Sequence, residues 1–109
     1  MSDYNCQALE KDPQENVTLT FDFSPALGQS ETITAINSIV VTVIAGVDPA
    51  PGLILNGPAA VSLDGMSVLQ PIKGGIDGVS YSVIVAANTS ATPTPQRLII
   101  KGLIGVFAQ

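Results

Sequence analysis

The sequence predicts an all-β protein: a single antiparallel β-sandwich of about seven strands, held without a disulfide. Three observations carry that expectation. Hydrophobic residues make up 46% of the chain but aromatics only 5%, so the apolar content is mostly Val, Ile, Leu and Ala, and ten Gly and eight Pro accompany it. That mixture favours short strands joined by turns. Two stretches, 17–23 and 79–87, alternate apolar and polar residues with the period of two that places one side of a strand in a core. About seven candidate strands recur at roughly the 8–12-residue spacing of a sandwich or barrel, and no segment has a helical period. A chain of 109 residues is the size of one domain. We read residues 1–16 as an N-terminal polar arm and 17–109 as the sandwich domain.

Taken in order, residues 1–16 hold four of the nine acidic residues, Asp3, Glu10, Asp12 and Glu15, with few apolar groups. This composition reads as an arm that orders against a neighbour, with Tyr4 and Leu9 as anchors, or as a frayed terminus. Val17, Leu19, Phe21 and Phe23 then share one strand face and supply the bulkiest part of the core, until Pro25 and Gly28 end the strand. Residues 32–45 are the longest β-prone run, with an irregular step at Ile36-Asn37-Ser38 that suggests a bulge. Its later half is apolar on both sides, as in a central strand or a strand facing a partner. Leu53-Ile54-Leu55 reads as a short strand closed by Asn56-Gly57, and residues 59–63 as another ending at the tight turn Asp64-Gly65. Residues 66–72 follow, with Pro71 marking an edge position. After the glycine-dense turn 74–78 comes the alternating stretch 79–87, then a polar, proline-rich loop over 88–95. Residues 96–108 form the last strand. Its Leu98, Ile100, Ile104 and Val106 lie on one side and Ile99, Leu103 and Phe107 on the other, so it too is apolar on both sides.

Charge and residue inventory narrow the function. Only four residues are basic and the net charge is −5. Lys11, Lys73, Arg97 and Lys101 are scattered, so neither a run of phosphates nor an anionic membrane is an expected partner. Histidine is absent and cysteine occurs once, at Cys6, which leaves no usual general base and no zinc pattern. The Gly74-Gly75 turn lacks the Lys-Ser/Thr of a phosphate loop. Asp48, Asp64 and Asp77 fall in turns, where Asp is favoured for backbone reasons. No enzyme, cofactor, metal or small-molecule substrate is expected. Charge is scarce at 12%, which fits either a compact sandwich or a subunit that buries much of its surface in an assembly. The polar N-terminus predicts no signal peptide and no run is long enough to span a membrane, so synthesis in a cytoplasm is expected.

One local signature sharpens the architecture. In Asp77-Gly78-Val79-Ser80-Tyr81, followed by Val83, an acid precedes a tyrosine by four residues and a core residue follows it by two. Immunoglobulin-like domains begin their F strand in this way, with the tyrosine hydroxyl bonded back to the backbone and a cysteine where Val83 stands. A disulfide-free immunoglobulin-like or fibronectin-like sandwich fits, with Phe21, Phe23, Asp77 and Tyr81 as its structural residues.

The spelling of the chain adds a resemblance. Lys11-Asp12-Pro13 with Glu15, Phe21-Asp22-Phe23-Ser24, Leu27, Glu31-Thr32-Ile33 and Gly46-Val47-Asp48 come first in order. Gln70, Gly75-Ile76-Asp77-Gly78 with Tyr81, Thr89-Ser90 and Leu98 follow. Together they resemble the immunoglobulin-like fibre-tail adaptor family of small tailed-bacteriophage and prophage virion proteins, over about residues 9–100. The resemblance implies a non-enzymatic structural protein that connects the tail or neck to the fibres through protein–protein contacts. It would occur in several copies, as a homo-oligomer in the virion, after a stay in the host cytoplasm. A head decoration (cement) protein and a secreted bacterial immunoglobulin-like module that binds glycans are the alternatives. Candidate partner-contacting residues are Tyr4, Leu9 and Asp12 in the arm, and Ile44, Ile99, Leu103 and Phe107. For those last four the pattern fits core first, and a contact face only where the second sheet leaves them uncovered.

Overall fold

The computed structural model describes residues 7–28, 30–90, 94 and 96–108. Among these residues seven strands form two sheets: β1 Gln7–Lys11, β2 Val17–Asp22, β3 Ile33–Ala45, β4 Ala60–Val61, β5 Ser67–Ile72, β6 Val79–Thr89 and β7 Arg97–Val106. One sheet has the order β1-β7-β6-β3, the other β2-β5-β4. This is the layout of an immunoglobulin-like sandwich whose first strand has joined the sheet of the last. It contains no disulfide, since the chain has a single cysteine.

The core lies between the sheets. Leu19 and Phe21 from β2, Val68 and Ile72 from β5, and Tyr81, Val83 and Val85 from β6 are at most 1% exposed, as is Phe23 just past β2. Each such side chain contributes about 1.5–3 kcal/mol over an exposed one. The opposite sheet packs closely over Gly102 of β7. A methyl group there would lie 3.0 Å from both Leu19 Cδ2 and Phe21 Cε2, so this inward position of an otherwise Leu/Ile-rich strand is filled from the opposite sheet.

Several expectations are corrected. Residues 7–11 are no arm: β1 pairs along its whole length with β7, Gln7 opposite Gly102 and Lys11 opposite Val106. The pairing is parallel, so the sandwich is not purely antiparallel. It rests on a backbone ladder closed between residues far apart in sequence, which the polar composition of QALEK does not signal. Leu53-Ile54-Leu55 is not a strand. Pro51–Ile54 is a 3-10 turn, its φ preset by Pro51, and Leu55 makes only an isolated bridge to Ile72. Pro71 lies in β5, the middle strand of its sheet. It is tolerated there because β4 covers β5 only at Leu69 and Val68, and the 54–56 loop takes over beyond, Asn56 N–H donating to Pro71 O at 2.9 Å. The alternating stretch read as 79–87 continues to Thr89, which shortens the polar loop. The irregular step at 36–38 is a register shift in the β3–β6 ladder.

β3 is an edge strand of its sheet, not a central one. Its two apolar sides therefore reflect incomplete cover on the outside rather than burial on both.

Candidate functional site

Strand alternation decides which residues reach the outer side of the four-stranded sheet. On β7, Ile100, Gly102, Ile104 and Val106 point inward and are buried, so Ile99, Lys101, Leu103 and Gly105 point out. Val40, Thr42 and Ile44 do so on β3, and Ser80, Ser82, Ile84 and Ala86 on β6. No second layer covers this side among the described residues. Ile44 is 55% exposed, Ile99 51%, Val40 49% and Phe107 41%, while Leu103 is half-buried. Four of the seven sequence-derived contact candidates thus share one surface, where the pattern alone favoured core.

The relief of this surface comes from its small residues. Ser80 and Gly105 are cross-strand partners, and Thr42 and Ser82 pair across β3 and β6, their hydroxyls 2.6 Å apart. Larger side chains rise on either side. The result is an open groove of about 390 Å³ lined by Leu9, Glu10, Ile44, Ser80, Leu103, Ile104, Gly105 and Phe107. A Cβ on Gly105 would meet Phe107 Cε2 at 2.7 Å, so the ring lies against β7 only because that position has no side chain. Phe107 is also fixed through its backbone. Its N–H donates to Lys11 O at 2.9 Å, and the N–H of the next residue, Ala108, donates to Asp77 Oδ1 at 2.9 Å. Asp77 therefore anchors the end of β7.

The hydroxyl of Tyr81, a residue with no exposed surface, accepts from Ile76 N–H at 3.0 Å and donates to Asp48 Oδ2 at 2.7 Å. This bond back to the backbone five residues upstream makes a tyrosine corner. Burial, reinforced by the Asp48 hydrogen bond, pushes the phenol's pKa up, so it remains a donor. Asp48 Oδ1 meanwhile accepts from Ala50 N–H at 2.9 Å. The partner Asp48 comes from a turn 33 residues away, a contact that no local pattern announces.

The arm candidates are dispersed. Leu9 packs against the core and also lines the groove. Asp12 is engaged in its own turn, accepting from Gln14 N–H through Oδ1 and from Glu15 N–H through its carbonyl. Tyr4 and Cys6 lie outside the described residues. Lys11, only 1% exposed, donates from Nζ to Asp12 O at 2.8 Å and to Gly74 O at 2.5 Å. Desolvation lowers its pKa, against the pull of Glu15 and Asp12.

No group of three or more His, Cys, Asp or Glu side chains among the described residues could hold a metal ion, and no helix there is long and apolar enough to cross a membrane. What the fold and this surface define is an immunoglobulin-like structural domain with an uncovered apolar sheet face. A family model described as "Podophage GP4 fiber-tail adaptor protein gp77" matches residues 11–100. The chain belongs to that family, which makes it a structural protein of a phage tail and places it in the virion. Searches of curated proteins and of solved structures returned no match.

The residues behind the resemblance prove to be framework. Lys11 reaches Gly74 O, Glu31 binds Thr89 and Gly28, Gln70 ties down Gly57 O, and Tyr81 holds Asp48. Leu103, Gly105 and Phe107 of the groove lie beyond the matched span.

Proposed function

We propose that this protein is a non-enzymatic connector joining the tail or neck of the particle to its fibres, and that the outer side of the β1-β7-β6-β3 sheet is a surface through which it holds another virion protein. The observation that carries this reading is the exposure of Ile44 and Phe107 in an apolar groove, with Ile99 exposed on the same side of the sheet. Large apolar patches on a soluble domain mark contact sites, and the buried centres of protein interfaces are depleted in charge. Glu10 is the one charged residue among those lining the groove. The protein acts in several copies and is made in the host cytoplasm before it is built into the particle.

The test is reconstitution. Tails purified without the protein are supplied with wild type or with Leu103→Asp/Phe107→Ser, and incorporation of protein and fibres is scored by mass spectrometry of the particles. The double variant folds, because both side chains lie outside the core, but fails to add to the tail. Normal incorporation of the variant would refute the surface assignment, and finding the wild type on head shells instead of tails would refute the connector role.

A further inference from the structure

The far edge of β3 is poorly guarded. β3 runs for thirteen residues and ends its sheet. Among the described residues, the one backbone hydrogen bond joining it to anything other than β6 is Ile33 N–H to Gly65 O, at its beginning. Natural sandwiches blunt such edges with charge, proline or short strands. The opposite edge follows that rule, since β1 has five residues and carries Glu10 and Lys11. β3 contains neither a charged residue nor a proline, and residues 32–47 contain no charge at all.

β3 also overhangs the second sheet. Ile39, Val41 and Val43 point toward the core yet are only half-buried, whereas the inward residues Val83 and Val85 of neighbouring β6 are 0% exposed. The cause is the three-stranded partner sheet, which stops at the two-residue β4. An apolar strip is therefore bare on the outer side at Val40 and Ile44, partly bare on the inner side, and open along the backbone. A row of unpaired N–H and C=O groups is met by another extended strand.

We propose that the occupant is a second copy of this chain, its β3 lying antiparallel against the first so that two four-stranded sheets become one. Charge allows a second copy at this place. The chain carries −5 overall, and the nine carboxylates elsewhere oppose close approach of two copies, but neither β3 nor β6 bears any. Geometry favours the middle of the strand. Register shifts flank it, and between them Ser38–Val43 pairs without interruption with Ala86–Tyr81. That segment, SIVVTV, has four β-branched aliphatic residues and a threonine, and no glycine, proline or charge, the composition that pairs with itself. A two-fold axis at Val41 sets Val40 opposite Thr42 and Ile39 opposite Val43, each pair on one side of the sheet. This self-pairing does not rest on the tail role.

The full-length protein is examined by sedimentation equilibrium over a wide concentration range, with hydrogen exchange read residue by residue. The wild type doubles in mass as concentration rises, and amides within Ser38–Val43 gain protection in step. V40K/T42K, which sets lysines against lysines at outward-facing positions, stays monomeric at every concentration while keeping the wild-type β-sheet circular-dichroism spectrum. Mixing it with V40E/T42E restores the dimer. A wild type that remains monomeric, a dimer that survives V40K/T42K, or protection of Ser38–Val43 that appears only when a tail or fibre protein is added would each overturn the proposal.

Discussion

The two sides of β7 are alike in sequence and opposite in circumstance. Ile100, Ile104 and Val106 face the other sheet and are at most 3% exposed, while Ile99, a strand neighbour of equal hydrophobicity, is 51% exposed. Even the glycines divide this way. Gly102 admits Leu19 and Phe21 from the opposite sheet, and Gly105 admits Phe107 from its own strand end. The same residue types hold the fold together on one side and shape a surface on the other. Hydrophobicity alone therefore does not say what a strand residue is for; the layer over it does.

The sharpest way to break this contrast is to truncate neighbours on opposite sides. Ile104→Ala leaves a cavity in the core and should cost about 2–5 kcal/mol. Leu103→Ala, one position earlier and facing out, should cost no more than about 1 kcal/mol, as surface changes do. Midpoints of denaturant unfolding at equal m-value measure both, and equal losses would mean that the outer side is covered in solution. A smaller effect tests the corner that secures the inner side. Tyr81→Phe keeps the ring but leaves Ile76 N–H and Asp48 without their hydroxyl partner, at a cost of about 1–3 kcal/mol by the same measurement. The smallest effect is one of pH. Hydrogen bonds from Thr89, and secondarily from Gly28 N–H, hold the Glu31 carboxyl below its ordinary pKa of 4.5. The stabilisation is thus fully present above that ordinary value and fades as pH falls through the lowered folded value. Melting temperatures followed downward from neutral pH should fall less steeply for Glu31→Gln than for wild type, the two curves converging in acid. Parallel curves would remove Glu31 from the account.

The inner side was the legible part of this fold. Val17, Leu19, Phe21 and Phe23, and later Val79, Tyr81, Val83 and Val85, announce their strands by alternation, because a half-buried strand imposes a period of two on its own sequence. β1 left no such trace. Gln, Ala, Leu, Glu and Lys are all better helix formers than strand formers, and only pairing with β7, almost a chain length away, makes them a strand. Leu53-Ile54-Leu55 errs the other way: three strand-like residues bent into a 3-10 turn by Pro51 and Gly52. The strand count came out right because the two misreadings offset each other. The candidate surface was half legible. Two apolar sides on β3 and β7 signalled either burial or a contact surface, and the choice turned on which strands lie at the edge, a matter of topology rather than of local spelling. Asp12 is a contact candidate by its place in the arm, yet it serves the turn that follows β1.

Lys11 offers a chemical handle. Its ammonium is enclosed between two carbonyl oxygens, while the amines of Lys73 and Lys101 stand in solvent. An acylating reagent meets Lys101 on the outer side of β7 at once, but meets Lys11 only when β1 lifts away from its neighbours. Acylation rates at these two amines then give separate clocks, one for cover over the sheet and one for detachment of its first strand, within a single peptide map of the assembled particle.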